Sequence, residues 1–438
     1  MTGLLRPRLA ALALWATVCL GVFWPSPVPQ AAGAALLAVY LAATIRHVRR
    51  DTAVLAGALA AAGVALAALE GSYAALLQGF ASAAVFGAFF LSVAVLRATA
   101  MERPEVAAAR RAFAAFDAGQ RSGGFLVGSH LLGAVISVGA MAVTAPILGP
   151  GASEAERRRA AEICLCGMCL AAQWSPFWVA MGVGFQHLPA VPLWQILALG
   201  LLCSAVGLAI GYALYARGTG PRLLWRAVAG LAPLVPPVVL CASVLAGLAA
   251  FTPLTALQAL VLAMPLLCVA ALALDSRGAL RRVLGGAWRN ADGFGDEVLL
   301  LTAALVLGRT FESAIAAHGV EALIGGLAPP PVVLIALVVL GMTATALVGV
   351  HQIVTSTVFL VAFGDPGLGL APVVLMESVL VGWCFGSMVG ISAVSVAVTA
   401  PLFDVPRSRL TYGANLWFAL AWGVASVALL AAVNAAMT

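Results

Sequence analysis

Two histidines and two glutamates stand in otherwise apolar surroundings. Leu126–His130 reads LVGSH and Leu347–His351 reads LVGVH. Further on, EICLCGMC (Glu162–Cys169) is echoed by ESVLVGWC (Glu377–Cys384), with Glu, Leu, Gly and Cys at identical spacing. An ionisable group at membrane depth costs a few kcal/mol, so each such residue calls for a functional reading by default. For His130 and His351 that reading is ligand contact or proton carriage, because imidazole titrates near neutral pH. The alternative is a neutral ring that hydrogen-bonds backbone. For Glu162 and Glu377 it is a proton or cation site, against an acid that merely favours a helix N-terminus. His351 is followed by Gln352, Thr355, Ser356 and Thr357. Such groups satisfy backbone opened by a turn, which lipid cannot do, and offer donors to an anion. After His130 only Ser137 is comparable, so the second stretch is expected to supply more ligand contacts and the first to be more structural.

Helix breakers follow at matched places. The first copy carries QWSPF, with Gln173 and Ser175 beside Pro176. A proline removes a backbone donor and clashes with the preceding turn, which frees carbonyls. The second carries FGSMVGISAVS, with Gly386, Ser387, Gly390, Ser392 and Ser395. Counting from the paired glutamates, Ser175 and Pro176 correspond to Gly390 and Ile391. Both segments read as discontinuous helices, whose ends carry partial charges suited to ions. The alternative is a simple kink, since Pro, Gly and Ser are common in membrane helices. The candidate substrate-binding residues are therefore His130, Ser137, Gln173, Ser175, His351, Gln352, Thr355, Ser356, Thr357, Ser387 and Ser392. The candidate ion-coupling residues are Glu162, Glu377 and His351. Arg97 and Arg309 either mark interfaces or neutralise an anionic substrate. Cys164, Cys166 and Cys169 form C-x-C-x-x-C, but on a helix those positions do not converge, so no metal site is expected. No H-E-x-x-H or G-x-S-x-G motif occurs, and no catalytic residue or cofactor is assigned.

The elements that hold these residues must be membrane helices. The 438-residue chain is 63% hydrophobic and only 9% charged, far below the roughly 25% charge of a soluble domain. Apolar runs of about 20 residues recur throughout, which gives an all-α polytopic membrane protein. The net charge of +6 is all arginine, spread over short loops, so no nucleic-acid partner is expected. The first 28 residues read as a retained transmembrane helix.

Basic loops concentrate on the cytoplasmic side. Segment 122–148 has arginines at both feet, so it is expected to enter and return as a re-entrant hairpin of two half-length helices. Segment 329–363 has none at either end and should open to the opposite face. The organisation that follows is a first repeat over 29–226, with hairpin 122–148 and broken helix 160–187. A second, inverted repeat covers 227–438, with hairpin 329–363 and broken helix 370–402. Inverted repeats with broken helices are an architecture of secondary transporters.

In this order of scaffold helices, hairpin, broken helix and helix, twice over, the chain resembles the ion transporter superfamily. That group includes divalent-anion/sodium symporters, anaerobic dicarboxylate carriers and the large membrane subunit of tripartite periplasmic transporters. HQIVTSTVF and QWSPF occupy positions where that family places its hairpin-tip and broken-helix motifs. The resemblance implies a homodimer with a fixed scaffold and a mobile part made of the hairpins and broken helices. It implies ion-coupled transport of a small organic or inorganic anion by alternating access, as in an elevator. The partners implied are a small anionic substrate and the lipid bilayer, in an inner membrane with the N-terminus cytoplasmic. The family's paired Ser-Asn-Thr or Ser-Asn-Asn hairpin motifs are absent here, so the coupling ion, Na+ or H+, stays open. The alternatives are a cation/proton exchanger using Glu162 and Glu377, or a non-transporting membrane subunit of a larger assembly.

Overall fold

The computed structural model describes residues 2–438 apart from 115–117, 149–150, 276, 292, 319–328 and 392. Among them there is no strand. The chain opens with α1 (Thr2–Phe23), α2 (Pro27–Thr44), α3 (Arg50–Glu70), α4 (Tyr73–Ser82) and α5 (Ala84–Glu102). Next come α6 (Pro104–Ala114), α7 (Ala118–Ile136), α8 (Gly139–Thr144), α9 (Glu154–Leu170), α10 (Val179–His187) and α11 (Leu193–Tyr215). α12 (Pro221–Leu231), α13 (Val235–Phe251), α14 (Ala256–Asp275), α15 (Arg277–Asn290) and α16 (Gly295–His318) follow. α17 (Pro331–Leu347), α18 (Gln352–Phe363), α19 (Pro372–Val389), α20 (Val394–Phe403), α21 (Arg407–Thr411) and α22 (Ala414–Met437) complete the order. Among the described residues, seven helical stretches are long and apolar enough to cross a bilayer, including Pro372–Phe403. The protein is an all-α, multi-pass membrane protein. Helices suit that solvent because each satisfies its own backbone.

Two compact units form. One gathers Met1–Thr99 with Val244–Ala328, and the other gathers Ala100–Ser243 with Pro329–Thr438. Each half of the sequence thus contributes to both units. In the first unit α16 packs on α3 and α4, and α1 packs on α2. Arg97 of α5 lies near Glu297 of α16, while Arg309 pairs with Glu312 at 2.8 Å. Both arginines belong to this unit.

The second unit holds the hairpin and broken-helix stretches. At its centre is α19, buried on every face from Val373 to Val389. α9 is buried from Ala160 to Leu170. Helices apolar all round belong in an interior, and these two pack against each other. Two series run in the same order: α7 to α11, and α17 to α20 with α22. Their packing is reciprocal. α7 packs on α9 as α17 packs on α19, and α11 on α7 and α9 as α22 on α17 and α19. Across the series, α10 packs on α18 and α19, while α20 packs on α8 and α9. Exchanging the series leaves these pairs unchanged.

The hairpin stretches are uneven. The first has a 19-residue helix, a turn at Ser137 and Val138, then a six-residue helix, where two half-length helices were expected. Ser137 ends α7 by taking a left-handed conformation (φ 50°). The second pairs helices of 17 and 12 residues. Its turn is made at Gly349, whose φ of 96° strongly favours glycine. The Val350 N–H bonds back to Thr345 O at 2.9 Å, in the manner of a Schellman cap. The two LVG-x-H stretches therefore occupy unlike places: Gly349 makes a turn, while Leu126–His130 lies inside α7. The local match of four residues does not mark structurally equivalent histidines.

The glutamate match does mark equivalent positions. α10 starts at Val179 and α20 at Val394, each 17 positions after its glutamate (179 − 162 and 394 − 377). Helix is interrupted at matched places, by Trp174–Trp178 after a short 3-10 turn (Ala171–Gln173), and by Gly390–Ala393.

Candidate functional site

The first interruption is latched onto α7 by side chains. A tightened last turn sends the Ala171 N–H to the carbonyls of Met168 and Cys169. His130 Nδ1 lies 3.1 Å from Gly167 O, one residue earlier. The indole N–H of Trp174 donates to His130 Nε2 at 3.1 Å. Ser175 donates its hydroxyl hydrogen to Ala134 O at 2.5 Å and accepts from Phe177 N at 3.3 Å. Trp178 Nε1 donates to Gly133 O at 2.9 Å. Ala134 O lies in the last turn of α7, where a helix end leaves carbonyls short of partners, while Gly133 O also accepts from Ser137 N at 3.0 Å. The break and the hairpin turn thus complete each other.

Gln173 is wholly buried. Its Oε1 accepts weakly from Ser204 Oγ at 3.4 Å, and its Nε2 has no oxygen acceptor. Ser137 is buried at the turn.

The second interruption uses one similar device. Ser395 donates its hydroxyl hydrogen to Ser387 O, in the last turn of α19. Ser392 lies outside the described residues. The Ser387 side chain is buried. His351 caps α18, its Nδ1 accepting from Ile353 N at 3.2 Å, and its ring meets Trp383 edge-on at 6.4 Å. The α18 hydroxyls are spent on their own helix. Thr355 donates to Gln352 O, and both Ser356 and Thr357 to Ile353 O. Gln352 differs. It is buried, and its Nε2 has no hydrogen-bond partner. A Cβ at Gly386 would overlap the Gln352 side chain, and one at Gly390 would come within 3.1 Å of its Nε2. The amide therefore sits against the backbone that leads into the second break.

The paired glutamates have unlike surroundings. Glu162 Oε1 accepts from Arg158 Nε at 3.0 Å and from Ala414 N at 3.1 Å, so it caps α22. This is the N-terminus of another helix, not of its own. Asn415 Nδ2 donates to Glu162 O, and Tyr215 OH to Asn415 Oδ1, which extends the network to α11. Glu162 also lines an open cavity of about 690 Å³ with Ser153, Glu154, Arg158, Arg159 and Arg409. Glu377 is fully buried, and neither of its carboxyl oxygens has a hydrogen-bond partner. Among the described residues no group of three His, Cys, Asp or Glu could hold a metal.

Trp174, Trp178 and Cys203 belong to this region, yet the sequence reading singled out none of them. The signal for the tryptophans was local: two indoles flanking a proline break, each an N–H donor beside freed carbonyls. No protein-family model matches the chain, and no curated protein matches its sequence. Fold and site together define the class, an all-α polytopic membrane protein with two interrupted helices inside one unit. The finer reading rests on the side chains at the interruptions.

Proposed function

We propose that the protein is a secondary transporter of a small anion, organic or inorganic, working by alternating access. The observation that carries this is the pair of buried amides, Gln173 Nε2 and Gln352 Nε2, each without an oxygen acceptor and each beside an interrupted helix; a thiol sulfur, that of Cys384, is all that Gln173 Nε2 meets among the described residues. Leaving a buried donor unmade costs about 1–3 kcal/mol, a cost that a ligand accepting those hydrogens would remove. An anion leaving water needs such replacement donors. Interrupted helices with their exposed termini are where transporters hold ions and substrates.

Reciprocal packing of the two series supports a pseudo-twofold arrangement, and the arginine asymmetry at the hairpin feet supports opposite orientation of the copies. On this reading the unit of Ala100–Ser243 and Pro329–Thr438 is the mobile part and the other unit the scaffold. The assembly is a homodimer in an inner membrane with the N-terminus cytoplasmic. It performs no chemistry on its substrate and needs no cofactor. The ordering of elements is that of the ion transporter superfamily.

A second reading, a proton or cation exchanger, is favoured by the unpartnered carboxyl of Glu377 but draws nothing from Glu162, which is occupied as a cap. The deciding experiment is radiotracer uptake into proteoliposomes across a panel of organic and inorganic anions, with sodium and proton gradients imposed separately. Accumulation of at least one anion under a gradient is expected. Cation flux without uptake of any anion sinks the anion reading.

A further inference from the structure

Glu377 sits in the fully buried α19 with both carboxyl oxygens unpartnered. One of its neighbours is α11. Cys203, Ser204 and Gly207 fall within about 100° of arc on that helix. The Cys203 thiol lies beside the Glu377 carboxyl. Ser204 hydrogen-bonds Leu170 O and Gln173 Oε1. A Cβ at Gly207 would come within 3.3 Å of Trp422 Nε1, another buried donor without a partner. One side of α11 thus meets the Glu377 carboxyl at Cys203, Gln173 at Ser204 and Trp422 at Gly207, in a protein interior.

No counter-charge balances that carboxyl. α17, α18, α20 and α22, and the turn Ala171–Gln173, carry no ionisable side chain. α11 brings Cys203 beside the carboxyl, while its Tyr212 and Tyr215 donate to Thr219 O and Asn415 Oδ1, and Cys384 lies on Glu377's own helix. The ionisable groups of α9, α10 and α21 form no ion pair with it among the described residues. A carboxylate buried without a partner is so costly that such a group neutralises instead.

We propose that Glu377, beside the Cys203 thiol of α11, is the proton-carrying group of the transport cycle, and that its sequence counterpart Glu162 is not. This rests on the transport reading above and names its coupling ion as H+. The step is a bare proton transfer. A Glu377 oxygen takes H+ from hydronium on one side, one hydronium O–H bond breaking as the carboxyl O–H bond forms and water leaving, and the buried state carries the proton neutral. The same carboxyl O–H bond breaks when the site opens on the other side, where water accepts the proton as hydronium.

Two measurements on the full-length protein test it. In the infrared spectrum at neutral pH, the parent is expected to show a protonated-carboxyl C=O band that loses intensity in Glu377→Gln. Equal intensity in both overturns the proposal. In proteoliposomes, accumulation of the anion the parent takes up under a pH gradient is expected to fall at least tenfold in Glu377→Gln, and undiminished accumulation overturns it. Should Glu377→Gln fail to fold, Cys203→Ala decides: removing the thiol beside the carboxyl is expected to shift the band, and an unmoved band overturns the proposal. A parent that accumulates no anion sinks the transport reading, and the infrared arm then judges the carboxyl on its own.

Discussion

Trp174 donates its indole N–H to His130 Nε2 across 3.1 Å, joining a break in one helix to the interior of another. An indole nitrogen can only donate, so Nε2 carries no proton, and the ring hydrogen sits on Nδ1, aimed at Gly167 O. Both nitrogens are committed to holding structure. His130→Ala would leave two buried groups unpaired, at about 1–3 kcal/mol each, and should lower the thermal midpoint in detergent clearly. Trp174→Phe, which strands only the histidine acceptor, should lower it less. Equal melting of His130→Ala and parent would mean that the latch does not hold the break.

Ser175 and Ser395 each hand a hydroxyl hydrogen to a last-turn carbonyl next to an interruption. Their alanine variants should therefore show a stability defect, of about 1 kcal/mol for a lost hydrogen bond and more if the carbonyl is left dry. Chemical denaturation in mixed micelles measures it. A variant with parental stability but weakened substrate affinity would instead assign that serine to the ligand.

Gln173→Leu and Gln352→Leu should behave in the opposite way. Each removes a donor that has no oxygen acceptor, so stability should hold or rise. Uptake of the anion transported by the parent should fall sharply. Full uptake in both variants removes the amides from the site.

The α9 capping box offers a pH test outside the membrane. Ser153 and Glu156 bond reciprocally, with Ser153 N donating to Glu156 Oε2 at 2.8 Å. Those bonds from Ser153 hold the Glu156 carboxyl below its ordinary value. A depressed carboxyl contributes stability above its unfolded value and loses it as pH falls through the folded one. The gap in thermal midpoint between parent and Glu156→Gln should thus be widest near neutrality and close on acidification. A gap independent of pH would show that the charge plays no part.

Topology is the test of inversion. Single cysteines at the exposed Gly151 and Gly367, in a cysteine-depleted background, should react with an impermeant thiol reagent from opposite sides, Gly151 from the cytoplasm. Labelling of both from one side would end the inverted-repeat reading.

Much of this architecture was legible because membrane sequences write it locally. Apolar run lengths gave the helices, and Pro176 and Gly390 gave the interruptions, since a missing N–H or a missing Cβ acts on its own turn. Glu162 and Glu377 gave the spacing to the two interruptions, since each stands 17 residues before the helix that resumes. What could not be read was where side chains go. The partners of His130 are 37 and 44 residues away, and Glu162 reaches Ala414 across 252. The paired histidines misled for a related reason: LVG-x-H is short, and the same letters serve a helix interior once and a turn once. The α18 hydroxyls looked free in the sequence, yet helix geometry places the carbonyls three and four residues back within their reach.

Reciprocal packing has a consequence for synthesis. α8 and α10 find neighbours among α18, α19 and α20, which leave the ribosome only after residues 244–328 have been made. Until then the first series is half of an interlocked pair, its Trp174–Trp178 interruption held by α7 and α11. The long sequence separation makes closing this unit a late event. A chain stopped before Pro372 would carry every helix of the first series and still lack the central one that fills the unit.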